Sequence, residues 1–360
     1  MLKILLSVKA LETQAAKALE KLLAGIPAIK IKTLKVESPE RDSVADIVAS
    51  VDVSGQPHVL VCEVKANGQP RNVRNAVYQL MNYVAKIGKP ATPILIAPYL
   101  SPASRDICVA NDVSYLDLEG NARLVFDNVF VERLISNKPA SEKRGFKSLF
   151  KPKSAQVLRA LLRDPHRIWR VTELAEVAGV SLGHVSNVRT ALLDREWAQV
   201  VPEGLSLTTP DALLDAWKSA YEPPIGIQFR FYTTLHGVAF EKAVRKTFGS
   251  LLSGEAAVLA SFSAANWIAP YARTGSEFIY AGEEALERIK EGLSLSLSLK
   301  GENVTVILPK DQGLFRDVIE PVPGIYCTSP VQTYLDLCAC GERGQEAAEH
   351  LRKARLIWQK

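Results

Sequence analysis

Asp46, Glu63 and Lys65 bring two carboxylates and an ammonium within the reach of one hairpin. Glu63 and Lys65 stand two apart in VLVCEVK, whose apolar residues mark a buried strand, so both project from one face of it. The run 45–53 alternates similarly and places Asp46, Val48, Ser50 and Asp52 on one face. Joined symmetrically through SGQP (54–57), the strands set Asp46 opposite Lys65 and Val48 opposite Glu63. The two carboxylates are then diagonal neighbours, about 7–8 Å apart at the backbone. Such a pair can share a divalent cation, Mg²⁺ being held by oxygens at about 2.0–2.1 Å, while the lysine holds a charged intermediate or orients water. The same residues also fit an ordinary cross-strand Asp46–Lys65 ion pair, worth little at a surface. Asp42 and Asp52 are competing acids, although Asp52 falls near Val59, remote from Glu63.

Past the lysine, GQPRNVRN supplies Arg71 and Arg74, which either contact a nucleic-acid backbone or line the exposed start of a helix. That helix carries Gln79 and Tyr83, four apart and so on one face. Asp46, then Glu63-Val64-Lys65, then Gln79-x-x-x-Tyr83 resembles the PD-(D/E)XK nuclease superfamily over roughly residues 10–132. The resemblance implies a restriction-endonuclease-like mixed sheet flanked by helices. It implies Mg²⁺ on Asp46 and Glu63, water attack on a phosphodiester assisted by Lys65, and Gln79 and Tyr83 beside the metal. A helical glutamate early in that fold is often a further ligand, and Glu20 is the best match.

The elements that must hold these residues emerge from the hydropathy pattern. Residues 11–24 and 71–86 read as helices; 28–37, 45–53, 58–65, 93–97, 113–118 and 122–132 read as strands. At 360 residues the chain exceeds one ordinary core. It divides into 1–136, a basic linker at 137–153, 154–218 and 222–360, an α/β and α+β multidomain organisation. No apolar run is long enough to span a membrane. The start turns into an amphipathic helix without a cleavage site. Five scattered cysteines without a Cys-x-x-Cys pair read as reduced thiols, and the whole as cytoplasmic. The net charge of +5 is concentrated in NKPASEKRGFKSLFKPK, either a solvated connector or a strap for phosphates.

Residues 154–210 read as three helices and a hairpin about Glu203-Gly204. Val157, Leu158, Leu161 and Leu162 form the inward stripe of the first helix; Thr172 caps the second and Gly179 ends it. The third packs through Val185, Val188, Leu192 and Leu193. LAEVAGVS followed by a polar helix resembles winged helix-turn-helix regulators, which implies that Ser186, Asn187 and Arg189 read double-stranded DNA in the major groove. A winged helix used for protein contact fits the same pattern. The C-terminal α+β segment has no nucleophile triad, phosphate loop or zinc spacing. Its tail, CTSPVQTYLDLCACGERGQEAAEHLRK, with SGEAAVLASFSAANWIAP and NVTVILPKD upstream, resembles AbiEi-family antitoxins over about residues 154–358. That implies a transcriptional regulator of a type IV toxin–antitoxin system with a toxin protein as partner.

Overall fold

The computed structural model describes residues 2–36, 45–87, 90–135, 139–271, 275–297 and 301–358. The chain divides into two compact units, residues 1–145 with 193–196 and residues 146–192 with 197–360. Together they make a multidomain α/β and α+β protein, as the hydropathy pattern indicates.

The first unit runs α1 (Leu2–Ala24), β1 (Ile29–Val36), β2 (Ile47–Val53), β3 (Gln56–Val64), α2 (Pro70–Ile87), β4 (Ala91–Ala97), α3 (Pro102–Ala110), β5 (Ser114–Asp117), β6 (Ala122–Phe126) and β7 (Val129–Arg133). Its seven strands lie in sequence order. Two parallel pairings, β3 with β4 and β4 with β5, sit between antiparallel hairpins. The parallel steps require crossovers, which α2 and α3 supply. One face packs Ala15, Leu19 and Leu23 of α1 on Ile47, Leu60, Cys62 and Ile94. The other packs Val73, Val77 and Leu80 of α2 on Val61, Leu95 and Tyr115. The single strand expected at 122–132 is instead a hairpin, because Asp127 adopts φ 47° and reverses the chain.

Residues 140–149, within the segment read from the sequence as a basic linker, form a helix, α4 (Ala140–Leu149). Phe150 just beyond it stacks on Trp217 and meets Phe146 edge to face, all within the second unit. Lys147, offered above as a phosphate contact, pairs with Glu222 at 2.7 Å. Residues 136–138 and the side chains of 140–144, which include Lys138, Lys143 and Arg144, lie outside those described.

The second unit continues with α5 (Pro152–Arg163), α6 (Val171–Ala178), α7 (Leu182–Asp194), β8 (Ala198–Val201), β9 (Gly204–Leu207) and α8 (Pro210–Ala220). Every apolar residue assigned to the stripes of α5 and α7 is buried. Gly179 closes α6 at φ 63°. Thr172 does not cap α6: the N-cap is Arg170, whose N–H is accepted by Glu173 at 3.4 Å. Trp169 exchanges both backbone hydrogen bonds with Leu205 at 2.9 Å, so the chain stays extended to Trp169 and the helix starts directly after it. A Cβ on Gly204, at φ 153°, would stand 2.4 Å from the Trp169 carbonyl oxygen, so this crossing demands glycine.

The rest comprises β10 (Gly226–Tyr232), α9 (Val238–Gly249), β11 (Ala257–Leu259), α10 (Ser261–Ile268), β12 (Glu277–Ala281), α11 (Leu286–Gly292), β13 (Ser296–Leu297), β14 (Val304–Pro309), β15 (Val318–Val322), β16 (Ile325–Thr328), α12 (Pro330–Cys338) and α13 (Gly341–Arg355). Its strands form a mixed sheet in the order β13-β10-β14-β12-β11-β16-β15. Helix α5 docks on this region through a polar row. Gln156 donates to Asp311 at 3.1 Å, Arg159 to Gln332 at 3.0 Å and Arg163 to Asp317 at 2.8 Å. Spacings of three and four put all three on one helical face. Behind Arg159, Asp336 accepts from Tyr280 at 3.1 Å, from Gln332 at 3.0 Å and from the Tyr221 hydroxyl. Burial pushes the Asp336 carboxyl up to about 6 in spite of these donors.

Candidate functional site

The β2–β3 hairpin turns at Ser54-Gly55, both at positive φ (52° and 94°), the geometry of a tight two-residue connection. Pairing starts at Val53 with Gln56 and runs to Ile47 with Cys62. The register is therefore two residues from the symmetric SGQP loop: Val48 faces Val61, and Asp46 lies just past the last paired residue, Ile47, at the strand end that carries Glu63. A two-residue slip preserves the faces, and the Asp46 and Glu63 carboxylates stay near enough for the Asp46 charge to act on Glu63.

The two strand ends are tied together. The Asp46 N–H donates to the Cys62 carbonyl at 3.0 Å, and Asp46 Oδ2 accepts the Val64 N–H at 2.7 Å. Lys65 does not pair with Asp46; its Nζ lies 2.5 Å from Glu63 Oε1. The Glu63 side chain is 11% exposed and that of Lys65 31%. Burial is the main force raising the Glu63 carboxyl above its ordinary range, with Asp46 and Glu12 adding to it and Lys65 opposing.

Glu12 is the acid of α1 that reaches this cluster electrostatically: burial first, then Asp46, raises its carboxyl. Glu20, nominated from the sequence, is exposed and two turns further on. Glu12 extends the stripe of Ala15, Ala16, Leu19 and Leu23 by one turn, whereas Glu20 lies beside it. An acid on an otherwise apolar stripe was the available signal.

Gln79 and Tyr83 do lie on α2, over the sheet face of Val61. Tyr83 packs in that layer and Gln79 is exposed, and neither hydrogen-bonds Glu63 or Lys65 among the described residues. Arg71 is exposed on the first turn of α2. Arg74 is also exposed, but its guanidinium is engaged by the Glu196 carboxylate at 2.9 Å. Asp52 sits at the turn end, opposite Pro57, and Asp42 lies outside the described residues.

Among the described residues no group of three His, Cys, Asp or Glu is gathered to hold a metal. Two neighbouring carboxylates, with Asp46 Oδ1 and Glu63 Oε2 accepting no hydrogen bond among the described residues, are of the type that suits a hard cation. Mg²⁺ characteristically takes one or two protein carboxylates and completes its shell with water and phosphate oxygens. The donor set therefore fits Mg²⁺, with Asp46 and Glu63 as the residues that would hold it.

An acid whose folded pKa is raised keeps its proton to higher pH than in the unfolded chain, so its contribution to stability falls as pH rises through the folded value. Glu63→Gln removes that cost. The variant is expected to unfold at a higher temperature than wild type at pH 8 and to lose the advantage near pH 4. Equal shifts at both values would contradict the burial argument.

In the second unit α7 follows the α6–Gly179 turn, and Ser181 Oγ accepts the His184 N–H at 3.3 Å. Ser186 and Asn187 are exposed; Arg189 is half-exposed and makes no ion pair among the described residues. His184 turns inward to Ser154, at 3.1 Å.

Fold and geometry define a multidomain α/β and α+β protein with two successive short helices, α6 and α7, and a carboxylate–lysine cluster. Residues 206–357 match the family described as "Transcriptional regulator, AbiEi antitoxin, Type IV TA system". The match begins inside β9 and so excludes α5 to α7, a shorter span than the sequence resemblance suggested. No curated protein matches the chain. No helix of the described residues is long and apolar enough to cross a membrane.

Proposed function

We propose that the protein is a cytoplasmic DNA-binding regulator of the AbiEi antitoxin kind, with double-stranded DNA and a toxin protein as partners. The observation that carries this reading is the family match over residues 206–357, directly behind a helix-turn-helix whose second helix leaves Ser186, Asn187 and Arg189 uncommitted. Arginine matches the guanine edge and asparagine the adenine edge in the major groove. Fluorescence anisotropy on DNA from upstream of the gene tests it. Arg189→Ala should weaken binding about tenfold, since a base contact is worth about 1–3 kcal/mol. Unchanged affinity would remove α7 as the reader.

A second reading, a Mg²⁺-dependent DNA endonuclease, draws support from Lys65 bonded to Glu63 and from Asp46 held at the same strand end through the Val64 N–H. The cation, when bound, would polarise a phosphodiester and lower the pKa of an attacking water. Asp46 and Glu63 hold their positions through the strand pairing. Lys65 then orients the water or offsets negative charge on the phosphate, and Arg71 steadies the backbone alongside. In the regulatory reading the same residues grip DNA without cutting it.

A further inference from the structure

Within the second unit, α9, α10 and the start of β12 enclose a cleft of about 890 Å³ that no reading above uses. Such a volume is within the usual range for small-molecule sites. Helix α10 presents Ser263, Asn266 and Trp267 to it, at helical spacings of three and four. Glu277 enters from the first position of β12, and Phe240 and Tyr271 complete the walls.

The polar atoms are set for a particular charge. The Phe278 N–H donates to Ser263 Oγ at 2.8 Å, which turns the hydroxyl so that it donates to Glu277 Oε2 at 2.5 Å. Glu277 Oε1 accepts no hydrogen bond among the described residues, and the Asn266 amide makes none there either. Burial raises the Glu277 carboxyl even though Ser263 and His236 work against it, so the carboxylate is poorly compensated as it stands. The other acid of the lining, Glu241, is already neutralised by Arg245 at 2.8 Å. Among the described residues the lining carries no lysine or arginine, and His236 is its basic side chain. The Trp267 ring already makes one cation–π contact, with Arg245 5.7 Å from its centroid, so its role for a ligand is as an apolar wall.

We propose that this cleft is a binding site for a small organic cation, an amine or guanidinium on a short apolar body. Its charge meets Glu277 Oε1, its remaining donors reach the Asn266 side-chain oxygen, and its body lies against Trp267 and Phe240. The site stands apart from DNA reading and from the carboxylate–lysine cluster, and does not depend on either.

Isothermal titration of the full chain with agmatine and with phenethylamine tests it, against butyramide and 2-phenylethanol as uncharged counterparts. Both amines should bind at least about tenfold more tightly than the neutral compounds. Glu277→Gln should erase that preference while unfolding at the wild-type temperature or above, because it removes a buried charge. Trp267→Leu, which keeps Glu277, should weaken both amines and retain a reduced preference for charge. Equal affinity for charged and neutral probes, no measurable binding of either amine at millimolar concentration, or undiminished amine binding in Glu277→Gln would each overturn the proposal.

Discussion

Replacing Arg159 with alanine lowers the unfolding free energy by about 3–5 kcal/mol, the usual cost of removing one partner from a buried charge cluster. Arg159 is 4% exposed, and the charges of Asp317, Asp311 and Asp336 all act to keep it protonated. Without it Gln332 Oε1 loses its donor and Asp336 loses the nearby charge that lowers its pKa. The loss has a pH signature. Asp336 has a folded pKa of about 6, against an ordinary 3.8, so its contribution to stability declines as pH rises between those values. Arg159 holds that folded pKa down, so the alanine variant carries the decline to higher pH and its deficit widens above pH 6. Urea unfolding at pH 5 and pH 8 checks both parts. A deficit under 1 kcal/mol at both pH values, or one that shrinks with pH, contradicts a buried network and indicates a solvated arginine.

Under the nuclease reading, Lys65→Ala and Glu63→Ala each reduce cleavage of supercoiled plasmid in Mg²⁺ or Mn²⁺ by about 10²–10³-fold, equivalent to about 3–4 kcal/mol of transition-state stabilisation. Glu63 lies within electrostatic reach of Asp46, and Lys65 has no carboxylate partner besides Glu63 among the described residues, so either change dismantles the cluster. Tyr83→Phe, at a side chain with no bond to the cluster, should leave the rate within a few-fold of wild type. A wild type that binds DNA and leaves it intact ends the endonuclease reading and keeps the regulatory one. Cleavage that persists in Glu63→Ala moves the chemistry away from this hairpin.

Much of this architecture was legible because periodicity reports burial. The stripes of α5 and α7, and the alternation around Glu63, survive without change. The register did not, since SGQP admits both a four-residue loop and a two-residue turn, and only the positive φ of Ser54 and Gly55 selects the latter. Glu12 was overlooked in favour of Glu20 because both are glutamates on one helix; their difference is angular, and shows only once the buried side of α1 is known. The polar row Gln156, Arg159 and Arg163 was unreadable for another reason. Beside an apolar stripe such residues look solvated, and nothing local announces that Asp311, Gln332 and Asp317 arrive from about 150 residues or more further along the chain.

The strand contact of Trp169 with Leu205 bears on how the molecule can be taken apart. A fragment cut where family similarity begins, at residue 206, would discard Leu205 and Gly204 and split β9 from its partner β8. It would also strip Asp311, Gln332 and Asp317 of their donors on α5. Homology and foldability thus draw different borders here. A shortened protein meant to retain native packing should begin ahead of α4, and antitoxin activity assigned to residues 206–357 alone should be measured in a chain that keeps α5.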